Sequence, residues 1–111
     1  MSAAELVSAR GLPDAPLDAA ERFHATVVQP VRALMASLGA VVVLFDTADH
    51  THENWRVAAI QELAREAAPG RVNAIAGADP TAIDQAIAWL AQAPGVTGQI
   101  LQVDGNPSEL A

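Results

Sequence analysis

Apolar residues recur along this chain with two periods. Phe23, Val27, Val31, Leu34, Met35 and Leu38 fall at helical spacing, Leu34 and Met35 each three or four from a neighbour on the same face, and predict a helix over 18–38. Asp18 can cap it, Glu21 three residues on completes a capping box, and Leu17 can staple the first turn. Gly39 suits the position after the helix end. Pro30 removes a hydrogen bond to Thr26 and predicts a kink. Ala40 to Phe45, AVVVLF, is a continuous apolar run rich in β-branched residues, as expected of a strand covered on both faces. A polar loop leads into a second helix over 52–67, with Trp55, Ala59, Ile60, Leu63 and Ala64 on its apolar face and Pro69-Gly70 as its stop. Arg71 to Ala76 is the next apolar strand. Asp79 as N-cap and Pro80 at the first helical position open the last helix. Its buried stripe is Ile83, Ala86, Ile87 and Leu90, with Trp89 beside it. Pro94-Gly95 ends it, and Gln99 to Val103 alternates as a final strand. At the front, Glu5 to Gly11 reads as a short strand and 12–17, with Pro13 and Pro16, as a loop.

The order is therefore strand-helix-strand-helix-strand-helix-strand. Strands joined by helices lie parallel, so the pattern predicts an α/β fold with a four-stranded parallel sheet, half of a doubly wound arrangement. A chain of 111 residues makes one domain with a modest core. Residues 5–105 are expected to form that core and 106–111 a frayed tail.

Composition narrows the functional classes. Hydrophobic residues at 51% indicate a globular chain rather than a disordered one. A net charge of −7 argues against nucleic acid and against anionic membranes as partners. With no cysteine there is neither a disulfide framework nor thiolate chemistry. The opening MSAAELVSARG has no basic and apolar leader, and no apolar run is long enough for a membrane span. A cytoplasmic location is the expectation.

Two stretches carry a family resemblance. Glu62 to Ala76, ELAREAAPGRVNAIA, runs from a helix end through a Pro-Gly stop into a strand, and Thr97 to Gly105, TGQILQVDG, holds a turn, a strand and an Asp-Gly turn. Together they resemble the C-terminal half of the short-chain dehydrogenase/reductase family, where a helix ending L-A-x-E leads into R-V-N-x-I-x-P-G and a later T-G-x-x-x-x-V-D-G-G closes the sheet. The resemblance runs from Leu6 to Gly105 and matches only the second half of the family's domain. It implies a three-layer, half Rossmann-like fold of the order β-α-β-α-β-α-β. Glu5 to Gly11 then sits where the family has its fourth strand, with Ser8, Ala9 and Arg10 replacing two asparagines and an alanine.

The same resemblance implies an NAD(P)-dependent oxidoreductase, and the departures from it remove that chemistry. A dinucleotide site needs a Gly-rich turn between first strand and first helix, and none occurs here. The family's general acid/base is a tyrosine, with a lysine four residues later that lowers its pKa and a serine and an asparagine that assist. Anchored on ELAREAAP, the tyrosine position falls at Asp49 and the lysine position at Glu53. The asparagine position falls near Thr26, and the serine position is nearest Asp46 or Thr47. A carboxylate does not imitate a tyrosine of pKa ~10, and glutamate reverses the lysine's charge. The loop at Gly77-Ala78-Asp79 is too short for the family's substrate lid. The chain is expected to be inactive on its own, to bind no cofactor, and to hold no catalytic, cofactor-binding or metal-ligating residues.

The polar run Asp49-His50-Thr51-His52-Glu53 has two readings. It could ligate a divalent metal, although His50 and His52 are two apart where a helical zinc site uses three or four. Otherwise it is a helix N-terminus, with Asp49 or Thr51 capping and Glu53 favouring the dipole. His24 reads as a partly exposed polar residue, and Trp55 and Trp89 as core or interface residues. Arg71 and Asn73 are assigned structural roles, and Asp104 a turn.

By resemblance, the helices over 18–38 and 52–67 are those through which family members pair as a four-helix bundle, and the last helix and strand form a second assembly surface. Small and apolar residues from Trp55 to Ala67 are wider than one buried stripe requires. The first strand would also be left as an open edge. The reading this supports is a structural subunit of an oligomer, formed with its own copies or with a full-length short-chain dehydrogenase. A component completing a partner's active site and a degenerate gene product are the alternatives.

Overall fold

A computed structural model describes residues 5–103. Four strands lie in one sheet in the order β1-β2-β3-β4: Glu5–Ala9, Ala40–Phe45, Arg71–Ala76 and Ile100–Gln102. All three neighbouring pairs are parallel. Helices α1 (Pro16–Thr26) and α2 (Val28–Leu38) connect β1 to β2, α3 (Glu53–Ala67) connects β2 to β3, and α4 (Pro80–Ala91) connects β3 to β4. The α/β reading, the parallel sheet and the element order stand as expected. The Asp104-Gly105 turn and the tail lie outside the described residues.

Strand alternation sends the core to two sides. Val7, Val41, Val43, Phe45, Val72 and Ala74 meet Phe23, Val27 and Val31 of the first two helices and Ile60 and Leu63 of α3. Val42 and Ile75 point the other way and meet Ile83, Ala86 and Leu90 of α4. The result is three layers. The first two crossovers run over one face, and the third steps in the same direction over the opposite face. Its hand is therefore opposite to theirs, which makes it left-handed when the others follow the usual right-handed rule. No β1 residue joins the α4 cluster, and Leu6 on that side is 45% exposed. One corner of the sheet is bare among the described residues.

The first helix departs from expectation in two ways. It begins at Pro16, with Pro at the first turn, and Ala15 as N-cap makes no side-chain bond. The Asp18–Glu21 capping box does not form, and Leu17 is 83% exposed rather than stapling. Pro16 has the fixed φ that suits the first helical position, which moves the start upstream. The predicted kink is a break at Val27, which ends α1 and precedes α2. Pro30 has no N–H for the Thr26 carbonyl and its ring crowds it, while Thr26 Oγ1 donates to the Arg22 carbonyl at 2.8 Å. Val27 N still reaches Phe23 O at 2.8 Å and Val31 N reaches Val27 O at 3.2 Å, so the halves stay joined.

The R-V-N and T-G stretches form one clamp. Asn73 is buried on β3. Its Nδ2 donates to Val96 O at 3.0 Å, and its Oδ1 accepts from Gln99 N at 3.0 Å. Val72 N donates to Thr97 Oγ1 at 3.1 Å. Arg71 Nη1 lies 2.9 Å from Ala93 O and 3.2 Å from Leu90 O, adding a side-chain donor to carbonyls that accept from Val96 N and Ala93 N in the turns after α4. The motif holds the turn that starts β4. Gly98 in that turn has φ of 74°, a conformation that favours glycine.

Candidate functional site

Ligand sites of open parallel sheets form beyond the carboxyl ends of the strands. Here those ends are tied together. After β1, Arg10 Nη2 donates to Gly77 O beyond β3 at 3.2 Å, and its Nε lies 3.8 Å from the Asp46 carboxylate beyond β2. Gly11 N donates to Asp46 Oδ2 at 2.8 Å. One arginine and one aspartate thus join three strand ends.

Beside this tie, two clefts of about 400 and 350 Å³ share Ala48, Asp49, His52 and Arg56 as walls. A 3-10 turn, His50–His52, precedes α3 and is capped by Asp49. The Asp49 carboxylate accepts from Thr51 N at 2.9 Å and from the Thr51 hydroxyl. These bonds hold Asp49 below the usual carboxylate range. His52 is buried. Its Nε2 lies 2.9 Å from Asp14 O, and its Nδ1 receives the Trp55 indole N–H at 3.1 Å. A carbonyl only accepts and an indole only donates, so these partners assign a neutral Nε2–H ring. With both nitrogens engaged, His52 has none left to act as a base. His50 is exposed. No group of three metal-ligating side chains comes together among the described residues.

Arg56 lies one turn further on α3 and is only 7% exposed. Its guanidinium stacks on Phe45, 4.3 Å from the ring centroid, and Nη1 donates to Asp46 O at 3.0 Å. Burial pushes it below its ordinary pKa, opposed by the charge of Asp46. Phe23, Phe45 and Trp55 form an aromatic cluster under it, with centroids 5.4 to 5.8 Å apart.

A family model described as "Short chain dehydrogenase-like protein" matches residues 7–103. The chain belongs to that family. No curated protein and no solved structure gives a significant match. In this short chain dehydrogenase-like fold, Asp46 and Thr47 line the first cleft, Glu53 the second and Asp49 both; these are the residues that the resemblance sets nearest the family's serine (Asp46 or Thr47), lysine and tyrosine positions. Thr26 does not line them and is spent on its own helix. Sequence reading missed Arg10 and Arg56. Arg10 gave no local signal, since its partners are 36 and 67 residues away. Arg56 did: it falls four residues before Ile60 and seven before Leu63, on the apolar face of α3.

A separate feature lies on the outer side of α1–α3. Two hollows of about 300 and 270 Å³ run between α2 and α3. Both are bordered by Arg32, Leu63 and Glu66, and the Arg32–Glu66 pair, 2.6 Å apart, bridges them. The second is walled by Val28, Trp55 and Ala58. Ala58 is exposed while Ala59 is buried. Trp89 is 54% exposed on α4. No helix among the described residues is long and apolar enough to cross a membrane.

Proposed function

We propose that this chain is a short chain dehydrogenase-like subunit without dehydrogenase chemistry of its own, which acts by associating with a second copy or with a full-length dehydrogenase. The observation that carries this is the pair Asp49 and Glu53 at the tyrosine and lysine positions. The sequence has no tyrosine. Its six Lys+Arg residues are all arginines, at 10, 22, 32, 56, 65 and 71, so no lysine can substitute. The family's reaction needs a hydroxyl that donates and recovers a proton near neutral pH. Asp49, held ionised by Thr51, has no proton to give there, and Glu53 places a negative charge where a cation is required.

The groove between α2 and α3 supports the associating role. Its apolar walls at Val28, Trp55, Ala58 and Leu63 let another helix approach closely. The bare corner at Leu6 and the edge of β1, unpaired among the described residues, are further surfaces that a neighbouring chain would cover.

Light scattering on the protein, alone and mixed with a full-length dehydrogenase of the same family, tests the reading. An assembly is expected in at least one of the two. Specific interfaces bury about 1,200–2,000 Å². Ala58→Glu, exposed in the lone chain and therefore tolerated by its fold, places an unpaired charge in the packed face at a cost of several kcal/mol and should dissociate the assembly while circular dichroism is unchanged. A monomer mass in both conditions removes the proposal.

A further inference from the structure

Arg56 is a buried cation with most of its donors unused. A guanidinium carries five N–H donors in a planar fork. Only Nη1 has a hydrogen-bond partner among the described residues, a neutral backbone carbonyl, and Nε is buried with none. No carboxylate of the described residues lies within ion-pair distance. The nearby acids are committed elsewhere: Asp46 to Gly11 N and Arg10, Asp49 to Thr51. A charge taken out of water with no carboxylate in direct contact is costly, and the more distant Asp46 charge and the stacking on Phe45 return only part of that. This cation borders two clefts at the carboxyl ends of parallel strands.

We propose that Arg56 is the anchor of a binding site for a small organic monocarboxylate. The carboxylate would take the unused part of the fork, the pairing whose planar geometry a guanidinium matches best. The body of the ligand would lie along Ala9, Leu12, Pro13 and Ala48, the apolar part of the 400 Å³ cleft, a volume within the usual range for small-molecule sites. The acidic groups on the rim, Asp14, Asp46 and Asp49, penalise a dianion such as phosphate more than a single carboxylate. The site is independent of the associating role, since it lies at the strand ends and not in the α2–α3 groove.

Titration of the intact chain with butyrate at constant ionic strength tests this, read by the Arg56 Nε–H and Trp55 indole N–H resonances in nitrogen-proton spectra. Saturable shifts in the millimolar range are expected from butyrate, with butyramide and inorganic phosphate at least tenfold weaker. Arg56→Met should abolish the Trp55 response, and Arg56→Lys, which keeps the charge but loses the fork, should weaken it. Butyramide needs no variant, so the comparison holds even where Arg56→Met does not fold. Equal shifts from butyramide or phosphate, or no saturable response to butyrate, would overturn the assignment.

Discussion

Replacing Asn73 with alanine should cost this fold much of its stability. Asn73 bonds both sides of the turn before β4, donating to Val96 O and accepting from Gln99 N, each at 3.0 Å. Val96 O would keep a long contact with Arg71 Nη1 at 3.4 Å. Gln99 N would lose its acceptor in a part-buried place. A buried group left without a partner costs about 1–3 kcal/mol, and a lost hydrogen bond about 0.5–1.5 kcal/mol. Together these come to about 2–4 kcal/mol, a large share of the ~5–15 kcal/mol typical of a domain. At roughly 4–8 °C per kcal/mol the melting point falls by roughly 10–30 °C. Thermal and urea unfolding followed by circular dichroism measure this, and hydrogen exchange should place the first loosening at 96–99. Asn73→Asp adds a second arm. It keeps the acceptor for Gln99 N but sets a buried carboxylate against the Val96 carbonyl, so its folded-state pKa rises above the unfolded value. Its stability relative to Asn73→Ala should therefore improve as pH falls toward the ordinary carboxylate range and worsen as pH rises through the raised value. A change of under about 0.5 kcal/mol in Asn73→Ala, of the kind seen at neutral surface sites, would refute the clamp. So would an Asn73→Asp variant that tracks it at every pH.

Gly70→Ala should destabilise by about 1–3 kcal/mol, measured by urea unfolding, because its new Cβ would clash with Met35 Cε and sit 2.9 Å from Gly39 O and 3.0 Å from Ala67 O. Asp49 and Glu66 are held below their ordinary range by Thr51 and Arg32 respectively. Their contribution is complete above the unfolded carboxylate value and is lost as pH falls through the depressed ones, so Asp49→Asn should flatten the acid limb of a stability–pH curve. Calorimetric titration with NADH and NADPH should show no micromolar binding, and a micromolar dissociation constant would contradict the proposed function.

Most of the fold was legible because its signals are local. Ala40 to Phe45 and Arg71 to Ala76 are short, mostly apolar runs that each follow a glycine, which read as buried strands, and Asp79 with Pro80 marks a helix start that the structure reproduces through the Asp79 bond to Ala82 N at 3.3 Å. The α1 start was misread because two local signals competed, and Pro16 prevailed over Asp18. The break at Val27 is stronger than a kink because Pro30 acts together with a threonine that already bonds its own helix. The candidate site was legible only in part. The 49–53 run was visible as polar, but His52 turns inward because Asp14 and Trp55 supply an acceptor and a donor, and Asp14 is 38 residues away. The tie through Arg10 depends on strand ends that only the sheet brings together.

The strands lie side by side in the order in which the chain makes them. Each new strand needs only its predecessor, and every pairing closes a loop no longer than one crossover, so the entropy of closure is met in similar, modest steps. No strand has to be threaded between two already paired. Such a sheet can form by accretion, and its register partners, such as Glu5 with Val41 and Ala74 with Ile100, are never more than one crossover apart. It also has no closing move: among the described residues, the last strand added leaves the same kind of unpaired border as the one before. Ease of assembly and an unfinished border are one property of this topology. The bare corner at Leu6 lies at the opposite border, on the first strand, where the α4 cluster does not reach.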